Sequence, residues 1–333
     1  MIKIGIIGCG FMGDMHAACY KALGVPVTAV ADPRADFAKK VADKSGARIY
    51  ESGEALIEQA DVTAVDICLP TDRHASHAVA AMRKGLDVFV EKPICIREEE
   101  MELILKTERE TGRKLQVGQV IRFWTEYVWL KEAADSGRFG RVLCGEFRRL
   151  SALPTWASEG WLHRPERSGG LAVDMHVHDV DFVRYLLGEP DTVTARAYRD
   201  SSGLIQQIYE LYGYGNDVSI CIEAGWDYPP SFPFDAGFRV KFEKAAVVLN
   251  AGVLTVYPQQ GEAYHPELPA EYQGDNDVGG NISSLGGYYN ELKYFVEGLR
   301  GEHPLEIATA QEAIRSVRLV KKGIEAAGGL ILK

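Results

Sequence analysis

The sequence predicts an α/β protein of two domains, in which a parallel sheet is followed by a large, mostly antiparallel one. Through about Gly118, short apolar strands alternate with helical segments, the pattern of parallel sheets built from βαβ units. From Arg122 onward, longer runs alternate apolar and polar residues with a period of two. The length of 333 residues leaves room for two hydrophobic cores.

The first domain is predicted to span residues 1–120. It begins with an apolar strand at 2–7, a helix that runs through Leu23 and a second strand at 27–31. Further strands are predicted at 48–50, 62–69, 88–90 and 114–117, with helices at 54–58, 74–84 and 98–110. Short strands separated by helices favour a parallel sheet with helices on its faces.

The second domain is predicted to span residues 121–333 and to be an α+β domain built on an open sheet. Its strands are predicted at 142–150, 192–199, 205–212, 218–226, 237–242 and 245–249. Short loops rich in Gly, Asn and Asp, such as 213–217, join consecutive strands and favour antiparallel pairing. Two amphipathic helices close the chain, and their apolar stripes comprise Leu292, Phe295, Val296 and Leu299, then Ala310, Ala313, Ile314, Val317 and Ile324.

Composition excludes several classes of function. The formal net charge is −10, and basic residues occur only as short doublets, so nucleic acid and anionic membrane surfaces are poor partners. No apolar stretch is long enough to cross a membrane. The six cysteines are scattered without a CxxC pair and no export signal is visible, which predicts reduced thiols and a cytoplasmic protein.

A glycine-rich turn between the first strand and the first helix predicts a dinucleotide site. Gly8, Gly10 and Gly13 follow the apolar strand directly, and Phe11 and Met12 complete the turn. In such a turn the first glycine makes the bend, the second lets a pyrophosphate approach, and the third lets helix and strand pack closely. The N-terminus of the helix then faces the phosphate charge.

The acid at the end of the second strand predicts NAD as the cofactor, with NADP as the alternative. Asp32 lies about twenty residues beyond the turn, where a carboxylate can accept hydrogen bonds from the adenosine ribose hydroxyls. The same carboxylate would repel a 2′-phosphate. Arg34 lies two residues further on and would pair with that phosphate if its loop turned inward.

The segment Glu91-Lys92-Pro93 ends an apolar strand with two charges and a proline. Ligands bind beyond the carboxyl ends of strands in open α/β sheets, so Lys92 is placed where a substrate would meet the cofactor. Glu91 and Lys92 would otherwise be solvated charges at a strand end. The two interpretations weigh about equally on this motif alone.

A second cluster of chemically active side chains lies between residues 174 and 181. Asp174 and His178 are four apart and His178 and Asp181 three apart, so a regular helix would place all three on one face. His176 would point elsewhere. A histidine beside a carboxylate can accept a proton near neutral pH, as a general base for a hydroxyl must.

Two histidines and three aspartates within eight residues also suggest a metal site. Helix geometry argues against it, because His176 and His178 are two residues apart and diverge on a helix. We therefore predict no metal. For Asp179, a charge at a helix start that the helix dipole favours is a sufficient explanation.

A loop between the two sets of motifs carries Trp156, Trp161 and His163. Indole rings stack well on sugar faces and the histidine can hydrogen-bond hydroxyls, although the tryptophans could equally cover the sheet or an oligomer contact. Arg122 and Trp124, just after the domain junction, are further candidates for substrate contact.

Taken together, these motifs resemble the glucose–fructose oxidoreductase, inositol dehydrogenase and rhizopine-catabolism (Gfo/Idh/MocA) family. The resemblance covers nearly the whole chain. The motifs that share the family's order are the turn Gly8-x-Gly10-x-Met12-Gly13 with His16, Ala31-Asp32, Leu69-Pro70 with His74, Glu91-Lys92-Pro93, and Gly169-Gly170 followed by Asp174, His178 and Asp181. Many relatives have glycine where His176 stands.

The resemblance implies a Rossmann domain paired with an open-sheet domain that often mediates oligomer contacts, here a homo-dimer or homo-tetramer. It implies a catalytic set of Lys92, Asp174 and His178. His178 would take the proton of a secondary alcohol while nicotinamide accepts the hydride, and Lys92 would stabilise the reacting oxygen. Leu69, Pro70, His74 and Glu91 are implied beside the cofactor, and the Lys92–Pro93 bond is often cis in this family.

The sequence therefore predicts an NAD(P)-dependent oxidoreductase that interconverts a secondary hydroxyl and a ketone on a cyclic polyol or sugar. One alternative is an NAD-dependent glycosidase that oxidises its substrate transiently and consumes no cofactor. Another is a cofactor-sensing protein without catalysis. The presence of Lys92, Asp174 and His178 together disfavours the sensor, which needs no base beside a nicotinamide.

Overall fold

A computed structural model describes residues 1–154, 158–215, 217–270, 272 and 285–329. The described chain forms two compact units. The first comprises residues 1–123 and the described residues from 272 to 315; the second comprises the described residues of 124–270 and 316–329. Residues 121–123, 272 and 285–315, which were predicted to belong to the second domain, thus lie in the first unit.

The strands and helices follow the predicted rhythm along the chain. The strands are β1 (Ile4–Ile7), β2 (Val27–Ala31), β3 (Arg48–Tyr50), β4 (Ala64–Ile67), β5 (Asp87–Glu91), β6 (Leu115–Gly118), β7 (Val142–Ala152), β8 (Thr192–Arg199), β9 (Ile205–Tyr214), β10 (Val218–Tyr228), β11 (Asp235–Phe242), β12 (Ala245–Asn250) and β13 (Val253–Pro258). The helices are α1 (Phe11–Ala22), α2 (Ala35–Ser45), α3 (Gly53–Gln59), α4 (His74–Arg83), α5 (Glu98–Thr111), α6 (Thr125–Asp135), α7 (Pro165–Ser168), α8 (Val177–Leu187), α9 (Gly286–Arg300) and α10 (Ala310–Ala326). Residues Ala172–His176 form a π-helix.

The first unit is a Rossmann fold, as predicted. Its six strands are parallel and their order is β3-β2-β1-β4-β5-β6. This order reverses between β1 and β4, which is the point where dinucleotides bind in such sheets. All residues of β1 and β4 are buried, as expected for strands covered on both faces.

The apolar core of the first unit is completed from the C-terminal part of the chain. Leu292, Phe295 and Val296 of α9 are buried in the same cluster as Ile4 and Phe89 of the sheet. The ring centroids of Phe89 and Phe295 lie 5.5 Å apart in an edge-to-face arrangement. The amphipathic stripe of α9 was predicted correctly, but the core that it serves belongs to the first unit.

The second unit contains a seven-stranded sheet with the order β13-β12-β11-β7-β10-β9-β8. Only β7 and β10 pair in parallel, and the other pairs are antiparallel, so the predicted mostly antiparallel sheet is confirmed. One face is buried and apolar, with Phe147, Phe238 and Phe182 of α8 in contact. Among the described helices, none has the length and apolar composition needed to cross a membrane.

The sequence analysis missed strand β13 and helix α6. In β13, Leu254 and Val256 face the buried side while Val253 and Tyr257 are exposed, which is a period of two. Helix α6 buries Tyr127, Leu130 and Ala133 at helical spacing. The apolar periodicity of both segments was therefore sufficient to predict them from the sequence.

Candidate active site

The glycine-rich turn has the steric features that a dinucleotide requires. Gly8 adopts φ +94°, and a Cβ added there would lie 2.5 Å from the Cys68 carbonyl oxygen. A Cβ at Gly13 would lie 1.9 Å from the Gly8 carbonyl oxygen. The turn therefore admits only glycine at these two positions, as the close packing of helix on strand predicts.

The start of α1 is suited to an anion. Gly10 is its N-terminal flanking residue, and no side chain caps this end of the helix. The first-turn N–H groups and the helix dipole thus favour a negative charge beside Phe11 and Met12. These features fit the pyrophosphate of a dinucleotide.

Asp32 is buried at the end of β2 and organises the turn. Its Oδ2 accepts a hydrogen bond from the Cys9 backbone N–H at 2.8 Å, and its Oδ1 accepts one from the Arg34 backbone N–H at 2.9 Å. The Arg34 guanidinium also pairs with both carboxylate oxygens, at 3.0 and 3.1 Å, and stacks on Phe37 at 3.8 Å. Arg34 is thus held against Asp32.

His74 joins two loops at the carboxyl ends of β4 and β5. Its Nε2 lies 2.7 Å from the Leu69 carbonyl oxygen and its Nδ1 lies 2.8 Å from the Pro93 carbonyl oxygen. The ring is buried, and burial lowers the pKa of His74. Both ring nitrogens lie within hydrogen-bond distance of a backbone carbonyl, and the neutral ring donates to one of the two at a time, so the side chain connects Leu69-Pro70 with the Lys92 loop.

Lys92 lies at the end of β5 and is partly exposed, whereas Glu91 before it is buried. The Lys92 backbone N–H donates to Glu91 Oε2 at 3.0 Å. Glu91 is therefore not a solvated charge at a strand end, which was the alternative interpretation of this motif. The Lys92–Pro93 peptide bond is cis, as the family resemblance implied.

In the second unit, Asp174 and His178 are the partly exposed residues of an otherwise buried stretch from Leu171 to Val180. Asp174 lies in the π-helix and His178 in the first turn of α8. The predicted regular helix is wrong here, because the π-helical turn contains an additional residue. Such widened turns occur often at functional sites.

Asp181 and Asp179 are structural residues. Asp181 is fully buried and accepts a hydrogen bond from the Ser316 hydroxyl at 2.6 Å, so it does not share the half-exposed positions of Asp174 and His178. Asp179 is also fully buried and receives two hydrogen bonds from Arg149, at 2.8 and 3.2 Å. Asp179 does lie in the first turn of α8, as predicted, but it is buried against Arg149, a pairing that the sequence analysis did not anticipate.

His176 points away from this pair, as predicted. It is fully buried, and its Nε2 lies 3.3 Å from Glu210 Oε1 of β9. Glu210 Oε2 accepts a hydrogen bond from the Tyr212 hydroxyl. His176 therefore ties the π-helix to the sheet.

The candidate substrate residues have different environments within their units. Arg122 is buried in the first unit. In the second unit the Trp124 ring is partly exposed, 5.7 Å from the Arg149 guanidinium carbon. Trp161 is partly exposed, and the exposed His163 contacts the Pro154 carbonyl oxygen at 2.9 Å through Nε2. Trp156 lies outside the described residues.

The sequence analysis did not single out Asp66 and Glu291, which are buried ionisable residues of the first unit. Asp66 interrupts the apolar strand β4, and Glu291 lies on the apolar side of α9, four residues before Phe295. A charge at a position that periodicity assigns to the core is the signal that identifies them, because such groups are rarely buried without a partner.

Comparison with known proteins assigns the class. Residues 2–119 match the Gfo/Idh/MocA oxidoreductase family with its NAD-binding Rossmann fold, and residues 127–248 match the C-terminal domain of that family. The chain belongs to the Gfo/Idh/MocA family.

Its relatives include named polyol dehydrogenases. Inositol 2-dehydrogenase of Rhizobium meliloti (strain 1021) is 36% identical over 200 residues, which are 59% of this chain and 58% of that protein. The match thus spans less than two thirds of that relative. Inositol 2-dehydrogenase 2 of Saccharopolyspora erythraea is 32% identical over 250 residues, or 68% of each chain.

Solved structures share the fold over almost the whole chain. A candidate myo-inositol dehydrogenase from Sinorhizobium meliloti 1021 superposes with a TM-score of 0.81 at 25% identity, covering 98% of each chain. Levoglucosan dehydrogenase in complex with NADH and levoglucosan has a TM-score of 0.82 at 19% identity, covering 98% of this chain and 97% of that one. The second likeness concerns the fold alone.

Proposed function

We propose that this protein is an NAD-dependent dehydrogenase that interconverts a secondary hydroxyl and a ketone on a cyclic polyol or sugar. The observation that supports it most is the match of both parts of the chain to one oxidoreductase family, several of whose members are named inositol 2-dehydrogenases. The glycine turn, the uncapped α1 and the buried Asp32 fit the cofactor.

The proposed roles follow from the chemistry of three side chains. When bound, the nicotinamide ring supplies the hydride acceptor. His178 acts as general base and takes the hydroxyl proton, which requires its imidazole to be neutral. Lys92 binds the same oxygen and stabilises its developing negative charge, and Asp174 holds a neighbouring hydroxyl or orients the histidine. Arg122, Trp124 and Trp161 are proposed to contact the sugar ring.

The experiment that tests this proposal is a spectrophotometric screen of NAD and NADP against inositols, aldoses and their keto forms. Reduction of NAD by a cyclic polyol is the expected result. Tight NAD binding without turnover of any compound would contradict the proposal and favour a cofactor sensor. Release of an aglycone from a glycoside with NAD unconsumed would instead favour the glycosidase.

The cofactor preference is proposed to depend on the Asp32–Arg34 pair. Replacing Asp32 with Asn should weaken NAD binding by about tenfold and strengthen NADP binding by about tenfold, because the change removes the repelling charge and releases Arg34 for the 2′-phosphate. Fluorescence titration with both cofactors measures the effect. The control is Asp36→Asn in the first turn of α2, which should change neither affinity.

An unchanged affinity for NADP in the Asp32→Asn variant would show that Arg34 does not reach the phosphate. The Asn side chain retains an oxygen that can accept the Cys9 N–H, so the turn should keep its conformation.

We also propose a cytoplasmic homo-oligomer, a dimer or a tetramer. All six cysteines are free thiols, as expected in a reducing compartment. The open face of the second sheet exposes Tyr198, Tyr209 and Leu211 near its β8 edge and Val253 and Tyr257 on β13 at the other edge, apolar side chains that an oligomer contact would cover.

Introducing charge on this face should dissociate the oligomer. In the double variant Tyr209→Glu and Leu211→Glu, two like charges would be buried at the contact, and the mass measured by light scattering should fall by about half or more. Leu103→Glu on the exposed side of α5 is the matched control and should leave the mass unchanged. An unaltered mass for the double variant would place the contact elsewhere.

A further inference from the structure

Four ionisable side chains meet in the interior of the first unit. They are His16 of α1, Asp66 of β4, Glu91 of β5 and Glu291 of α9, and each is at least 94% buried. Ionised groups lose several kcal/mol of solvation when they are buried, so such a cluster persists only if its charges are paired or neutralised.

His16 lies between two carboxylates. Its Nδ1 is 2.9 Å from Asp66 Oδ2, and its Nε2 is 3.2 Å from Glu91 Oε1. The Nδ1 contact is a hydrogen bond, whereas Nε2 and Glu91 Oε1 face each other at ion-pair distance without one. Burial alone would lower the pKa of His16, but Asp66 and the Cys68 sulfur, 3.4 Å from Nδ1, together outweigh burial, and the pKa lies well above its usual value. His16 is therefore the cation of the cluster.

Glu291 differs from the other two carboxyl groups. Neither of its oxygens has a hydrogen-bond partner among the described residues. Burial first, and then the charge of Glu91, raise the pKa of Glu291 well above its usual value. One carboxylate oxygen each of Glu91 and Glu291 and a ring nitrogen of His16 lie within 4.8 Å of one another. Glu291 is therefore the neutral acid of the cluster.

Glu91 connects this cluster to Lys92. Its Oε1 faces His16, while its Oε2 accepts the hydrogen bond from the Lys92 backbone N–H at 3.0 Å. Gly118 of β6 lies opposite Glu91, and a Cβ added there would lie 3.2 Å from the carboxylate carbon. The carboxylate is thus fixed on three sides: by a cation, by packing and by the backbone that carries the proposed catalytic lysine.

We propose that Glu91 is a positioning residue for Lys92: its side chain, packed against Gly118 and beside His16, holds the Lys92 backbone through Oε2, while Glu291 is a protonated neighbour without that role. This inference rests on the proposed function, because it assigns Glu91 a role through Lys92. The two buried glutamates therefore differ in their hydrogen bonds: Glu91 accepts the Lys92 N–H, and neither oxygen of Glu291 has a partner among the described residues.

The matched variants Glu91→Gln and Glu291→Gln test this assignment. Gln is similar in shape to a protonated Glu, so Glu291→Gln should keep kcat within about twofold of the wild type. Glu91→Gln removes the charge that pairs with His16 and should lower kcat about 10- to 100-fold through misplacement of Lys92. The KM for the polyol and the Kd for NAD should each change by less than about threefold in both variants. Glu91→Asp should restore part of the lost kcat.

Infrared spectroscopy gives a readout that does not depend on turnover. The carbonyl stretch of a protonated carboxylic acid should be present in the wild type and in Glu91→Gln, and should vanish in Glu291→Gln. The melting temperature of each variant is measured as well. It distinguishes a loss of Lys92 positioning from a general loss of stability.

Several results would overturn the inference. These are an unchanged kcat in Glu91→Gln, equal losses in both variants with equally lowered melting temperatures, or the absence of the carboxylic acid band from the wild type. A stoichiometric metal ion bound through His16 would also overturn it. A wild type that oxidises no polyol would refute the proposed function and the positioning role with it, while the infrared band would still decide the protonation of Glu291.

Discussion

Replacing Lys92 with Met should lower kcat by about 10²- to 10⁴-fold while the Kd for NAD stays within about threefold. Met keeps most of the length of the side chain but removes the charge that, in the proposed mechanism, stabilises the reacting oxygen. Lys92 is only partly buried, so the fold should tolerate the change. Steady-state kinetics and cofactor titration measure the two effects separately.

His178→Gln should reduce kcat over the same range, because it removes the side chain that we propose as the base for the hydroxyl proton. The two losses should not add in the double variant if both residues act on one reacting oxygen. The control for the charge change is Lys84→Met, because Lys84 pairs with Glu58 in the first unit. This variant should leave kcat unchanged. Near-normal turnover in both single variants would refute the catalytic assignment.

Replacing Gly13 with Ala should weaken NAD binding by at least about 100-fold. The new Cβ would lie 1.9 Å from the Gly8 carbonyl oxygen, so the start of α1 must move away from β1. If the helix N-terminus binds the pyrophosphate, as we propose, this displacement removes N–H contacts to the most highly charged part of the cofactor. Equilibrium titration with NAD measures the loss.

Gly46→Ala is the matched control for that substitution. Gly46 ends α2 at φ +75°, and an added Cβ meets no atom within 4 Å. Alanine there should cost about 1 kcal/mol of stability through backbone strain and leave the Kd for NAD unchanged. Equal losses of affinity in the two variants would mean that the Gly13 effect is a general destabilisation.

The cofactor site was the part most accessible to sequence reasoning, because its requirements are local. Gly8, Gly13 and Asp32 belong to one strand-turn-helix-strand unit of about thirty residues, and the constraints on it are steric and independent of distant contacts. The strand order of the first sheet follows from the same repetition of βαβ units.

The buried charges were not accessible, because their partners are distant in sequence. His16, Asp66 and Glu291 are separated by 50 or more residues, and only the folded sheet brings them together. An ionisable residue at an apolar position, such as Asp66 in β4, indicates a buried charge. It does not indicate which group pairs with that charge. The same limit applies to Arg149 and Asp179, which are 30 residues apart.

The π-helix at Ala172–His176 was missed for a different reason. Reasoning from helical spacing assumes 3.6 residues per turn, and an inserted residue changes which side chains share a face. Asp174 and His178 are both partly exposed, as regular spacing predicts. Asp181 was predicted on the same face but is fully buried. An irregular turn leaves no periodic signature in a single sequence.

The placement of α9 in the core of the first unit has a consequence for biosynthesis. The Rossmann sheet emerges from the ribosome early, but Phe295 and Val296, which pack against it, are made nearly 180 residues after β6 ends. In the nascent chain, the apolar surface that α9 covers therefore stays exposed until the whole second sheet has been synthesised. For the same reason, a chimera that exchanges cofactor domains between relatives has to transplant two separate stretches of chain.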